Sequence, residues 1–212
     1  MDTAVEYIEK TKSAAQSLLS GIDRYIDVLR SASSPVLVES FSNDAERDAW
    51  LRSNRTSIDA SLNAQRIFVS EAFAMANLSG ALLQIAASGI RRYSTNECVP
   101  ESCTSLNLGI AQRAYAIGRP VRGVPLGLIV YAGRNQYNHF DDDTLREPNS
   151  TIFERLAVGH GIVSDEPFRD PAYDLTDSRR PLCLANNITA LIGWRDYAHY
   201  EADMKSMLKC DE

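Results

Sequence analysis

Residues 67–90 read IFVSEAFAMANLSGALLQIAASGI. Ile67, Phe68, Ala72, Phe73, Ala76, Leu78, Leu82, Leu83, Ile85 and Ile90 recur there with many alanines between them. Small side chains let neighbouring helices approach closely, and the larger ones supply apolar area worth about 25 cal/mol per Å² removed from water. The stretch therefore predicts the central helix of a bundle. Gly80 and Gly89 mark either a break in it or a close contact. The helical region reaches back to about Asn43, which forms a capping pair with Glu46, and runs in one or two pieces to about Tyr93.

On the N-terminal side a helix is expected from about Thr3 to Leu29. Thr3 and Glu6 have the form of a capping box. Val5, Ile8, Ala15, Leu18, Leu19, Ile22, Ile26 and Leu29 recur at three- and four-residue spacing, a stripe that needs a partner surface. Ser34 and Pro35 end it, because proline lacks the backbone donor and restricts its predecessor.

On the C-terminal side Ser94 to Thr104 reads as a loop, and a helix resumes from Leu106 to Ile117. Gly118, Pro120 and Gly123 interrupt the chain. Pro125 opens the next helix, where its missing N–H is harmless, and that helix carries Leu126 through His139. A short strand over Leu126 to Tyr131 is the competing reading. A short helix follows Pro148, from Ser150 to Ala157. Residues 159–181 look like a long connection, a lid or an insertion, and a last helix spans Leu182 to Leu208. The expected architecture is all-α: one domain over residues 1–212, four or five main helices and extra short ones.

The 212 residues are ordinary in composition, 44% hydrophobic and 24% charged, which excludes a dominantly disordered chain. A net charge of −6 argues against non-specific coating of nucleic acid over the whole surface. The charge is uneven, however. No acid lies between Glu101 and Asp141, whereas Arg113, Arg119, Arg122 and Arg134 do. The acidic start and the lack of a long apolar run lead us to expect a cytoplasmic protein without membrane insertion. Cys98, Cys103, Cys183 and Cys210 lack zinc-site spacing and are expected as free thiols. No metal or cofactor motif is present, so no metal and no cofactor is expected.

The chemistry-bearing segment is Gly133-Arg134-Asn135-Gln136-Tyr137-Asn138-His139-Phe140. On a helix Asn135 and His139 lie one turn apart on one face, with Arg134 and Asn138 as a second pair beside it. Metal-free RNA cleavage requires a base for the 2′-hydroxyl, charge stabilisation on the phosphorane and an acid for the departing 5′-oxygen. Histidine serves either proton role near neutrality. Arginine suits the phosphate oxygens, and Asn135 would orient the imidazole or donate to the phosphate. One histidine does not easily act as acid and base at once. Two copies of the helix across a two-fold axis would bring two histidines and two arginines into one cleft, so a homodimer or closely related heterodimer is expected. Tyr131, Tyr137 and Asn138, with Arg119 and Arg122, are the candidate substrate contacts, the tyrosines by stacking on bases. The weighed alternatives are half-buried bundle tyrosines, and a His139 tied to Asp141–Asp143 in a local salt network.

Arg134-Asn135 followed by three residues and His139 resembles the arginine-x4-to-6-histidine signature of the HEPN superfamily, helical-bundle proteins of toxin–antitoxin, abortive-infection and CRISPR-associated systems. The resemblance implies a bundle of four or five helices, dimerisation through the motif helix, and metal-independent endoribonuclease activity leaving 2′,3′-cyclic phosphate ends. Arg134 and His139 match the defining positions and Asn135 the accessory one. Asp141 stands where the toxin branch often has tyrosine. RNA is the implied substrate, and an antitoxin or regulatory protein is a possible partner. The rival expectation is an inactive interaction or regulatory protein of the same superfamily. His160, and Arg195 with His199, are further histidine positions; the latter pair is one residue short of the signature spacing.

Overall fold

A computed structural model describes residues 2–30, 41–142, 144–159, 168–177 and 182–210. The chain is an all-helical bundle with one small hairpin. The first helix, α1 (Ala4–Arg30), begins as its capping residues dictate: Thr3 Oγ1 accepts from the Glu6 N–H, while the Glu6 carboxylate reaches back to the Asp2 N–H. Ile8, Ala15, Leu19 and Ile22 are buried along one face. Val5, counted in that stripe, is exposed because the packed seam runs through Ala4, Ile8 and Ala15 and leaves Val5 to its side. Ser34 and Pro35 lie outside the described residues.

The second region divides at Glu71 into α2 (Asp44–Ser70) and α3 (Ala72–Tyr93). Asn43 caps α2 by accepting from the Glu46 N–H. Helical geometry lapses at Glu71 (φ −96°, ψ 0°), and α2 lies largely outside the core: Ile67 and, just after the break, Phe73 are exposed although read as core, and α2 buries only Ser61 and Ala64. Its partner α3 is the central helix. Leu82, Leu83, Ala86 and Ile90 are fully buried, and α1 packs along it. Both glycines of α3 are close contacts rather than breaks. A Cβ at Gly80 would sit 2.3 Å from the Tyr137 ring, and one at Gly89 2.8 Å from the Tyr7 ring. Among the described residues α3 is also the one helix long and apolar enough to cross a membrane, which counting uninterrupted apolar runs understated.

The helix expected over Leu106–Ile117 is reduced to a 3-10 turn, Glu101–Leu106, and one helical turn, α4 (Ile110–Arg113). Asn107 between them is left-handed (φ 48°), which stops propagation. The Gly/Pro interruption is a hairpin, β1 (Pro120–Val121) with β2 (Val124–Pro125). Its two turn residues, Arg122 and Gly123, both have positive φ, the requirement of a tight two-residue turn that follows strand twist.

From the hairpin rises α5 (Leu126–Asn138), helical throughout, so the strand alternative for Leu126–Tyr131 does not hold. Leu126, Leu128, Ile129, Val130 and Ala132 are fully buried. Next comes α6 (Asn149–Ala157), and the last helical region is two helices, α7 (Ala185–Leu191) and α8 (Tyr197–Leu208). Gly193, at φ 77°, and Asp196, whose carboxylate caps α8 at the His199 N–H, divide what reads as one helix. Trp194 fills the elbow, buried edge-on against Tyr200 and donating its indole N–H to Asp203. Eight α-helices and one 3-10 helix among the described residues exceed the four or five expected. The extra elements arise at backbone stops that periodicity does not register.

Candidate functional site

The C-terminal turn of α5 presents the signature residues. The helix ends at Asn138. His139 leaves helical geometry (φ −129°, ψ 34°) but keeps its N–H on the Asn135 carbonyl, at 3.0 Å. Its side chain is 59% exposed, and Nδ1 lies 3.0 Å from a carboxylate oxygen of Asp142. The local His–Asp association weighed as an alternative is thus present for Asp142; Asp143 lies outside the described residues. With Nδ1 held, Nε2 is the nitrogen left for proton transfer, since the partner of one ring nitrogen sets the role of the other.

Arg134 points into a chain of amides. Nε donates to Gln84 Oε1 and one terminal nitrogen to Asn135 Oδ1, each at 2.9 Å, while Asn135 Nδ2 donates to Asn149 Oδ1 at 3.2 Å. The network ties α3, α5 and α6 together. No acidic side chain among the described residues forms an ion pair with Arg134, so its charge is hydrogen-bonded without being neutralised.

Two adjoining cavities flank His139. The more polar one, about 280 Å³, is lined by Asn135, Asn149, Arg146, Asp142 and His139 together with Thr144 and Leu145. The more apolar one, about 240 Å³, is lined by Phe140, Leu145 and Leu175 with Gln136, Thr144, Ser150, Thr176, His139 and Asp142. Gln136 is buried and committed: its amide donates to the Leu182 carbonyl and accepts from the Leu184 N–H. Residues 168–177 of the long connection supply one wall. That segment is clamped to α6 by Arg169, which binds both Glu154 and Asp174. The two carboxyls are held below their usual range, chiefly by the Arg169 hydrogen bonds.

The structure brings Asn135 and His139 together in one cavity, but Arg134, expected to meet the phosphate oxygens beside the imidazole, lines neither cavity because its guanidinium is engaged by Gln84 and Asn135. Asn138 is exposed beside them. The other candidate substrate contacts lie elsewhere. Arg119 forms a two-pronged ion pair with Asp203 and donates to the Ile192 carbonyl. Arg122 binds Asp170 at 2.8 Å, donates to the Leu156 carbonyl and covers the Tyr173 ring at 4.8 Å. The acid-free stretch is acid-free only along the chain, because both arginines find carboxylates far away in sequence. Tyr137 packs over Gly80 with its hydroxyl 3.3 Å from Asn77 Oδ1, and Tyr131 lies tilted against Tyr115 with ring centres 4.9 Å apart. Both are half-buried bundle residues, the plainer alternative, and neither lines the two cavities.

Asp142, Asn149, Arg146 and the apolar trio Phe140, Leu145 and Leu175 are site residues that sequence reasoning missed. Asp142 alone carried a signal, three residues after the histidine. His199 binds Asp196 at 2.7 Å on α8, and His160 lies outside the described residues. All four cysteines are free, and among the described residues no three His, Cys, Asp or Glu side chains assemble into a metal-binding group. Set against family models, curated proteins and solved structures, the chain matches none.

Proposed function

We propose that the protein is a metal-independent endoribonuclease of the HEPN type, cleaving single-stranded RNA by attack of the 2′-hydroxyl on the adjacent phosphate. The observation that carries this reading is the shared cavity of Asn135 and His139, with Asp142 on the imidazole Nδ1 and an unneutralised Arg134 bonded to Asn135. His139 Nε2 takes the 2′-hydroxyl proton. The new bond to phosphorus forms as the bond to the departing 5′-oxygen breaks, leaving a 2′,3′-cyclic phosphate and a 5′-hydroxyl. Asp142 orients the ring and stabilises the imidazolium. Arg146 and the Asn149 amide supply donors to the phosphate oxygens, and the Arg134 charge acts through Asn135.

A second copy of the chain supplies the acid for the leaving oxygen. The apolar body of α5 is buried within its own bundle, so pairing is proposed at its exposed end. Apolar Leu51, Leu62, Val69 and Phe73 are exposed along α2 and the start of α3. Phe73 meets Phe140 edge-on at 5.9 Å, which makes this surface continuous with the cavity. RNA is the partner proposed, in the cytoplasm, with an antitoxin or regulatory protein as controller.

The test is cleavage of a labelled single-stranded RNA in EDTA, with end-group analysis. The expected outcome is cyclic-phosphate ends and loss of roughly a hundredfold or more in rate for His139→Ala. Cleavage by His139→Ala at the unmutated rate would end the proposal, and so would absence of cleavage by the unmutated chain across diverse single-stranded RNAs. That second result would favour the inactive interaction protein.

A further inference from the structure

The more apolar of the two cavities reaches His139 and Asp142 on one side, but its other walls have no part in the proton and phosphate chemistry just described. Phe140, Leu145 and Leu175 face it, all partly buried against the core. Its polar lining is Gln136, Thr144, Ser150 and Thr176 beside His139 and Asp142, with the Thr176 hydroxyl donating to Asp174 and so left as an acceptor. The Phe140 ring is already oriented, because Phe73 holds it edge-on at 5.9 Å and 68°. A fixed aromatic ring beside aliphatic walls, with hydroxyls at the edge, suits a flat heteroaromatic ring that stacks on one face and hydrogen-bonds at its margin.

The neighbouring cavity has the complementary character. The exposed Arg146 and the Asn149 amide line it as donors for an anion, with the remaining N–H of Asn135 beside them, and the Asp142 carboxylate in the same wall is engaged by His139 Nδ1. The two chambers share His139, Asp142, Thr144 and Leu145 as a common wall. In a nucleotide the base and the phosphate are joined through one sugar, and here an apolar and a donor-rich chamber adjoin at the histidine.

We propose that the Phe140–Leu145–Leu175 chamber is a nucleobase pocket, which seats the base of the nucleotide whose 3′-phosphate occupies the Asn135–Asn149–Arg146 chamber. This rests on the ribonuclease reading and deepens it. The base pocket sets the register of the strand, so that the 2′-hydroxyl of the seated nucleotide meets His139. Cleavage then falls immediately 3′ of the seated base, with a preference among bases set by Thr144, Ser150 and Thr176.

The test uses ligands that bind but do not react. The four 2′-deoxynucleoside 3′-monophosphates, deoxyribose phosphate and inorganic phosphate are titrated into the unmutated chain, followed by calorimetry and by amide shifts at Phe140, Leu145 and Thr176. At least one deoxynucleotide is expected to bind roughly tenfold or more tightly than deoxyribose phosphate. Phe140→Ala and Leu175→Ala, which line the apolar chamber alone, should each weaken that nucleotide by about fivefold or more while leaving inorganic phosphate unchanged, with thermal unfolding checking that each variant is folded. Equal affinity for deoxyribose phosphate and every deoxynucleotide, binding without shifts at those three amides, or no nucleotide binding would overturn the pocket. The two proposals fail separately. RNA cleavage with equal binding of base-free ligands sinks the pocket and leaves the nuclease; base-dependent binding without RNA cleavage does the reverse.

Discussion

Gly80 and Tyr137 form one of the tightest contacts between α3 and α5. The Tyr137 ring lies where a Cβ on residue 80 would go, 2.3 Å from the nearest ring carbon. A methyl group there must displace the ring from its place near Asn77. Gly80→Ala is therefore expected to destabilise the fold by about 1–3 kcal/mol, overpacking outweighing the helix propensity gained. Chemical denaturation measures this, and a Gly80→Ala protein as stable as the original would show that the two helices separate at little cost. Arg122 also works at this scale. Its positive φ of 49° is unusual for a residue with a side chain, and the side chain is held by Asp170, the Leu156 carbonyl and the Tyr173 ring. The residue offered in the sequence as an RNA contact is a fastener of the hairpin to α6 and the following wall.

At the scale of elements, the wall 168–177 meets α6 through a short bridge, Val158 with Arg169, and through the Arg169 clamp on Glu154 and Asp174. Both carboxyls have their pKa lowered in the folded state, first by the hydrogen bonds from Arg169. A carboxyl with a lowered folded pKa contributes its full stabilisation above the ordinary carboxylate range, around pH 4, and loses it as the pH falls toward the folded value. The guanidinium pKa is raised by the same contacts, which keeps it charged throughout that window. Acidification below about pH 4 is therefore expected to loosen this wall, read as faster amide exchange at Gly159 and Asp170, whose N–H groups bond across the bridge. Asp174→Asn should show fast exchange already at neutral pH. Exchange there independent of pH, once the intrinsic chemical rate is divided out, would mean the clamp contributes nothing.

For the whole molecule, the proposed second copy is assigned to the exposed apolar row of α2 and the start of α3. The row Leu51, Leu62, Val69 and Phe73 is exposed, and Val69 is 71% exposed, so a substitution there should leave monomer stability nearly unchanged. Sedimentation of the unmutated chain is expected to give a dimer, and Val69→Asp a monomer with RNA cleavage reduced roughly tenfold or more, because a desolvated charge in an apolar seam is costly. A Val69→Asp protein that remains dimeric would place the two-fold contact elsewhere. Mixing His139→Ala with Arg134→Ala subunits then reports whether the two copies share one cleft.

The sequence by itself determined the helical class, the cap of α2 at Asn43, the opening of α5 after Pro125 and the one-turn relation of Asn135 to His139. These depend on hydrogen bonds and periodicities spanning three or four residues. Only the tertiary structure decided that α2 lies largely outside the core, that the last region breaks at Gly193, that Arg119 and Arg122 pair with Asp203 and Asp170, and that Phe140, Leu145 and Leu175 share a cavity with His139. Charge neutralisation and concavity are set by groups that approach through space, and residues 48 and 84 positions apart leave no local pattern from which their meeting can be read.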